Sequence, residues 1–144
     1  MSVTDSSSRA KGQIRSYEDL QVWQEAMELV VMSYRLAGRL PSSERYTLAP
    51  QITRAAVSVP ANIAEGQGSS HRPVFLNHLS ISRGSLMELE TYVTLVVKLG
   101  FVKSQEVCEI RDQAGVVGRL LNGLVRALRA RRGLNDGEAG TTES

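Results

Sequence analysis

Apolar residues recur at intervals of three and four positions in four separate stretches of this chain. Residues spaced in this way lie on one side of an α-helix, so each stretch predicts a helix with one apolar face. The four predicted apolar faces are, in chain order, Leu20, Trp23, Met27, Val30, Tyr34 and Ala37; Ile52, Ala56, Val59 and Ile63; Phe75, Leu79, Leu86, Leu89, Val93 and Val96; and Val107, Ile110, Ala114, Val117, Leu121, Leu124 and Leu128. Four such helices predict an all-α protein, an up-and-down (antiparallel) four-helix bundle.

Residues that favour helix ends divide these stretches. Ser16, with Asp19 three residues later, is expected to start the first helix, and Thr47 or a neighbour the second. Ser70 is expected to cap the third helix, which closes with Gly100 in the C′ position. Ser104 is expected to start the fourth.

Pro60 lies inside the second predicted helix. A proline there removes one backbone hydrogen bond, because it has no N–H group. We therefore expect the second helix to be kinked near Pro60 or divided into two pieces.

The two ends of the chain differ in composition from the rest. Residues 1–13 are rich in serine and poor in apolar residues, and residues 133–144 are acidic without a basic residue. Both are expected to be disordered tails, which leaves residues 14–132 for the four-helix bundle. Removing two basic and one acidic residue with the first tail and three acidic residues with the second leaves 15 basic and 11 acidic residues.

A length of 144 residues with 42% hydrophobic residues indicates one globular domain. Cys108 is the single cysteine, so the chain cannot form an internal disulfide or a cysteine metal cluster. The N-terminal residues contain no apolar stretch typical of an export leader. No membrane span is expected, because Lys98 and Gly100 interrupt the longest apolar run. We expect a cytoplasmic protein with no membrane partner.

A second apolar stripe runs along the third predicted helix, roughly opposite the first. Its members are Ile81, Gly84, Tyr92, Leu95 and Leu99. A helix that is apolar on two sides is buried on both. The stripe is therefore interpreted as an oligomer interface in which Gly84 permits close backbone approach. The alternative is that a tail, or the loop after the first helix, covers it.

Glu88 lies in the middle of this second stripe. A buried carboxylate is costly unless it is paired or protonated, so we expect a basic partner, either Arg54 or Arg83, within or between subunits. The alternative is a catalytic acid with a raised pKa. No second acid, nucleophile or metal ligand is evidently placed to act with it, which favours the ion pair.

Other residues whose side chains could bind a metal or take part in catalysis give weak signals. His71 and His78 are about two helical turns apart, too far to share one metal ion. Asn62 and Glu65 precede a helix-ending turn and, with Arg54 and Arg83, are assigned to a structural polar cluster. We expect no catalytic residue, no metal and no cofactor, and therefore no enzyme.

Arginines on the fourth predicted helix are the strongest functional signal from the residues alone. The candidate nucleic-acid-binding residues are Arg111, Arg119, Arg126, Arg129, Arg131 and Arg132. The first four fall within about 80° of one another around the helix, at about 100° per residue. Glycines on the same side, at positions 115, 118 and 123, leave room for a phosphate backbone. Against this, Asp112 interrupts the stripe and charged outer faces are common on solvated helices.

Several segments, in the same order, resemble one family. They are YEDLQVWQEAMEL at positions 17–29, QITRAAVSVPANIAEG at 51–66, GSLMELET at 84–91 and KLGF at 98–101. They are similar to the four-helix bundle proteins encoded by intervening sequences in bacterial 23S ribosomal RNA genes. That resemblance implies an up-and-down four-helix bundle that assembles as a homopentamer. It also implies similarity in fold to accessory proteins of diversity-generating retroelements, which partner a reverse transcriptase and RNA.

These observations lead to one functional hypothesis and one alternative. The hypothesis is a non-enzymatic homo-oligomer, a pentamer, that binds RNA or a ribonucleoprotein through its basic surface. The alternative is an oligomeric adaptor or accessory factor for a nucleic-acid-processing protein, such as a reverse transcriptase, for which nucleic-acid binding is incidental.

Overall fold

The computed structural model describes the backbone of residues 16–141, and the side chains of that range except Asp19 and residues 132–141. The four α-helices are α1 (Gln21–Gly38), α2 (Leu48–Gln67), α3 (Arg72–Lys98) and α4 (Cys108–Thr141). Short 3₁₀ turns precede three of them, at Tyr17–Asp19, Ser42–Glu44 and Ser104–Val107. No strand occurs in the described residues, which confirms the predicted all-α class.

Each helix packs on two others, in a closed cycle. α1 contacts α2 and α4, while α3 contacts the same two helices from the other side. The α2–α3 interface is the most extensive of the four. This arrangement encloses one core, as expected of a four-helix bundle.

The buried faces of α2, α3 and α4 are the predicted ones. Ile52, Ile63, Leu79, Leu89 and Val117 have no solvent exposure. Phe75 of α3 and the last two apolar residues of the α4 face, Leu124 and Leu128, are only partly buried. The core therefore thins out towards the C-terminal part of α4.

The predicted buried face of the first helix is only partly correct, since Leu20 is buried and Trp23 and Val30 pack against the core, but two other members are exposed. Met27 and Tyr34 are 40% and 57% exposed. The residues that α1 buries are Val22, Ala26, Leu29, Ser33 and Leu36. Apolar residues surround most of this helix, so periodicity alone cannot fix its rotation. Ser33 is accepted in the core because its hydroxyl donates to the Leu29 carbonyl oxygen at 2.8 Å.

Three helix starts also differ from the predicted ones. Ser104 begins a 3₁₀ turn, and α4 itself begins at Cys108. Ser16 accepts a hydrogen bond from the Glu18 N–H at 3.2 Å, within the first 3₁₀ turn, and α1 begins only at Gln21. Before α3, Ser69 rather than Ser70 accepts from the His71 N–H, at 3.2 Å. Ser16 and Ser69 thus each organise a turn that leads into a helix rather than the first helical turn itself.

Gly100 closes α3 as predicted. Its φ is +77°, a left-handed conformation that costs glycine nothing. The Gly100 N–H donates to the Val97 carbonyl oxygen and the Phe101 N–H to the Val96 carbonyl oxygen, both at 3.0 Å. These two bonds form a Schellman motif that ends the helix.

α2 is continuous through Pro60, which is buried. The predicted division into two pieces is therefore wrong, since proline removes only one hydrogen bond and the flanking turns keep theirs. A kink near Pro60 stays a prediction, as does the up-and-down order of the helices.

The fourth helix is longer than expected. It continues to Thr141, so residues 133–141, which the sequence analysis assigns to the C-terminal tail, have a helical backbone. No proline follows Arg132, and local hydrogen bonds suffice to extend a helix that already exists. The predicted N-terminal tail, residues 1–13, and the last three residues lie outside the described part of the chain.

Gly66 lies where α2 and α3 approach each other closely. A Cβ atom at this position would lie 2.8 Å from the His78 Cβ and 2.9 Å from the Phe75 Cδ1. Because real Cβ atoms do not approach other carbons so closely, only glycine fits here without displacing α3. This contact holds together the helix pair that carries the polar groups described next.

Candidate interfaces for nucleic acid and for a second subunit

The predicted arginines on α4 are accessible to solvent. Arg111, Arg119, Arg126, Arg129 and Arg131 are all exposed. Among the described side chains, none of these five forms an ion pair with a carboxylate. Arg132 belongs to the helix, but its side chain lies outside the described residues.

Helix geometry separates these arginines into two groups. Arg111, Arg119, Arg126 and Arg129 share one side of α4, whereas Arg131 lies about 120° away from the nearest of them. Arg131 instead lines a cleft with Phe75 and Leu128 at the end of the bundle. Of the predicted set, the first four therefore define the arginine face.

Charge is unevenly distributed along α4. Glu109 and Asp112, both exposed, lie near its beginning. Residues 113–135 then contain five arginines and no acidic residue. The interruption that Asp112 introduces is thus confined to the first turns, and positive charge without an acidic neighbour in sequence begins at Arg119.

Asn122 is a residue of this face that the sequence analysis missed. It is exposed and lies three positions after Arg119 and four before Arg126, so all three point to the same side of α4. An asparagine carries no charge, so it gives no signal in the sequence until its exposed neighbours are known. Arg119, Asn122, Arg126 and Arg129 form a continuous row about 15 Å long.

The three glycines near this face have different surroundings. A Cβ at Gly115 would lie 3.3 Å from Nη1 of Arg119, while a Cβ at Gly123 would meet nothing within 4 Å. A Cβ at Gly118 would lie 3.5 Å from the Leu86 Cδ2 of α3. Gly118 therefore serves helix packing, and only Gly115 and Gly123 leave the arginine side open.

The second apolar stripe of α3 is exposed in the single chain. Ile81, Leu95 and Leu99 are 46%, 37% and 52% exposed, and nothing lies within 4 Å of a Cβ placed on Gly84. Tyr92 is half-buried. The loop after α1 does not cover these side chains, so that alternative to an oligomer interface does not hold.

Glu88, in the middle of this stripe, connects α3 to α2. Its Oε1 accepts a hydrogen bond from the Tyr92 hydroxyl at 2.9 Å and lies 3.4 Å from Nη2 of Arg54. Within the chain, Arg54 is thus the basic partner of Glu88; a partner from a second subunit stays a prediction. The side chain of Glu88 is 40% exposed in the single chain, so it is only partly desolvated. The hydrogen bond to Glu88, burial and the negative charge of Glu88 all raise the pKa of Tyr92.

The predicted structural polar cluster separates into two groups. Arg54 joins Glu88, whereas Asn62 and Glu65 meet at His78: the Asn62 Oδ1 lies 3.1 Å and the Glu65 Oε2 3.6 Å from the His78 Nδ1. Arg83 is exposed and belongs to neither group.

Serines fill the space between the two groups. The hydroxyls of Ser58 and Ser85 lie 2.7 Å apart, and the buried Ser82 hydroxyl donates to the Val59 carbonyl oxygen at 2.9 Å. The sequence analysis missed these serines and the role of His78. Polar side chains thus join α2 to α3 beside the apolar core, and every buried side-chain donor and acceptor in the described residues is paired.

Within the part of the chain that the structure describes, no three His, Cys, Asp or Glu side chains come together in a way that could hold a metal ion. The described helices include none with the length and apolarity needed to cross a membrane.

Comparison with known proteins agrees with this fold. The structure of a protein with unknown function from the S23 ribosomal protein family of Bacteroides thetaiotaomicron VPI-5482 superimposes with a TM-score of 0.67 at 23% sequence identity. The alignment covers 72% of this chain and 97% of the other. No curated protein matches the sequence.

The sequence profile described as 23S rRNA-intervening sequence protein matches residues 18–123, which include α1, α2, α3 and the first half of α4. The match thus includes the polar contacts between α2 and α3. It also includes Arg111 and Arg119 of the arginine face, but not Arg126 and Arg129. This chain belongs to the family of 23S rRNA-intervening sequence proteins.

Proposed function

We propose that this chain is a non-enzymatic, cytoplasmic homo-oligomer that binds RNA through the arginine face of α4. The observation that carries the proposal is the stretch of α4 with five arginines and no acidic residue, on a helix whose described arginines are exposed and free of carboxylate partners. Arginines that are not neutralised within the protein are available to phosphates.

Oligomerisation would strengthen such binding. The exposed stripe of α3 supplies an apolar surface of the kind that pairs with a second subunit. Each added subunit would present another arginine face, and contacts to one RNA from several linked subunits increase the affinity without any new type of contact. A pentamer, the assembly implied by the resemblance to the family, is the form that we propose.

A protein adaptor is the second candidate, because a further apolar patch lies on α1. Met27, Val31 and Tyr34 are exposed on this helix, apart from the α3 stripe. A surface of this kind suits a protein partner, such as a nucleic-acid-processing enzyme. In that case RNA binding by α4 would be weak and incidental.

Substitution of the arginines tests the proposal. Binding of a structured, mixed-sequence RNA would be measured by fluorescence anisotropy over a salt series, with the mass of the protein determined by light scattering in the same buffers. In the triple variant, Arg119, Arg126 and Arg129 are changed to Ala, which removes three phosphate contacts. The magnitude of the slope of log K against log salt should then decrease by about 2.7 for each subunit that contacts the RNA.

The matched control removes the same charge from another surface. Arg35, Arg39 and Arg45 are exposed on α1 and in the loop that follows it. Changing these three to Ala should leave most of the salt dependence in place. Equal effects of the two triple variants would show that RNA responds only to net charge, and unchanged binding by the α4 variant would refute the proposal and favour the adaptor.

A further inference from the structure

We propose that the arginine face takes duplex RNA, with Arg119, Arg126 and Arg129 on phosphates and Asn122 hydrogen-bonded to a ribose 2′-hydroxyl. This inference rests on the proposed RNA binding and adds the form of the RNA and the residue that distinguishes it from DNA.

Spacing along α4 supports the grouping of these four residues. They follow one another at intervals of three, four and three positions, which places them within about 80° of one another. Successive members are therefore about 4.5–6 Å apart along the helix axis. Among the described residues, the clefts lined by Arg111 or by Arg131 include no member of this row.

The Asn122 side chain is exposed to solvent. No hydrogen bond of its side chain occurs among the described residues, and asparagine favours the interior of a helix less than most residues do. Its amide can donate and accept at the same time. A ribose 2′-hydroxyl also does both, and it is the group that lets a protein distinguish RNA from DNA.

Aromatic side chains are missing from this face. Helix α4, Cys108–Thr141, contains no Phe, Tyr or Trp. Proteins that hold single strands stack the bases on aromatic rings, whereas double-stranded RNA is contacted at phosphates and 2′-hydroxyls. The composition of the face therefore fits a duplex and does not fit a single strand.

The exposed aromatic residues of neighbouring segments do not supply the missing rings. Tyr34 is nine positions after Glu25, whose side chain and carbonyl oxygen accept hydrogen bonds from Gln113 of α4. Nine residues make about two and a half helical turns, so Tyr34 lies on the side of α1 opposite Glu25 and points away from α4. Tyr46 follows the end of α1, where Arg39 and Glu106 line one cleft beside the first turn of α4. That end of the bundle is remote from Arg126 and Arg129.

The test compares four probes on the full chain: a mixed-sequence duplex RNA, a non-pairing single strand of the same length, a duplex DNA of the same sequence, and a second duplex RNA of scrambled sequence. The wild type should bind both RNA duplexes equally and bind them more tightly than the single strand. Tighter binding to the single strand, or a large difference between the two duplexes, would overturn the duplex assignment.

Asn122→Ala tests the 2′-hydroxyl contact. Alanine is a better helix former, so the fold should be kept. The preference for duplex RNA over duplex DNA should fall about two- to tenfold, the usual value of one hydrogen bond, while the salt slope stays that of the wild type. The matched control is Asn77→Ala on the exposed surface of α3, which should leave the preference unchanged.

Failure of this inference can be separated from failure of the proposed function. A wild type that binds no RNA at low salt contradicts both. RNA binding with an RNA-to-DNA preference that Asn122→Ala does not alter contradicts the 2′-hydroxyl contact alone and leaves the arginine face as an electrostatic site.

Discussion

Gly66→Ala tests the close contact of α2 and α3, on which the positions of the polar groups depend. The added methyl group would lie 2.8 Å from the His78 Cβ and 2.9 Å from the Phe75 Cδ1. The Phe75 ring can rotate, but the His78 Cβ moves only with the backbone of α3. The substitution should therefore force the two helices apart locally.

The expected size of the effect follows from two opposing contributions. Overpacking of a tight interior costs about 1–3 kcal/mol. Alanine recovers up to about 1 kcal/mol over glycine in a helix, and less here because Gly66 is next to the last residue of α2. We expect the free energy of unfolding to fall by about 1 kcal/mol.

Gly123→Ala is the matched control, because a Cβ at this helical position meets nothing within 4 Å. It should raise the free energy of unfolding by about 0.5–1 kcal/mol. Urea unfolding followed by circular dichroism, at one fixed protein concentration, measures both. With a slope of about 2 kcal/mol per M, the midpoint of Gly66→Ala should decrease by about 0.5 M. Equal stabilisation by the two substitutions would refute the close contact.

Three further predictions concern the oligomer, the tyrosine and the end of α3. Leu95→Glu places a charge in the α3 stripe and should divide the oligomer into smaller species, measured as a lower mass by light scattering, whereas Val31→Glu on α1 should not change the mass. The reverse result would place the interface on α1. Because the pKa of Tyr92 in the folded protein is raised above 10.0, its contribution to stability is complete below pH 10 and is lost as the pH rises further. Tyr92→Phe should therefore make the unfolding free energy decrease less steeply with pH in that range, and an unchanged alkaline slope would argue against the hydrogen bond to Glu88. Gly100→Ala should cost about 1 kcal/mol through its left-handed backbone, in contrast to Gly38→Ala, and thermal unfolding that shows the two to be equal would contradict the helix-ending motif.

The sequence revealed the features that depend on one helix at a time. The apolar faces of α2, α3 and α4, the end of α3 at Gly100 and the arginines of α4 were all predicted, because each follows from periodicity or from one residue's backbone preference. The arginine face was found in this way, since it lies on a single helix. Asn122 was missed because an isolated polar residue gives no signal until its exposed neighbours are known.

Only the tertiary structure decided how the helices are rotated against one another. Periodicity predicted the α1 face with Met27 and Tyr34, whereas packing buried the one with Ala26 and Ser33. Packing also selected Arg54 over Arg83 as the partner of Glu88 within the chain, and it brought Asn62 to His78 from a different helix. Each of these pairings depends on the rotation and depth of two helices together, and a pattern along one helix carries no information about its neighbour.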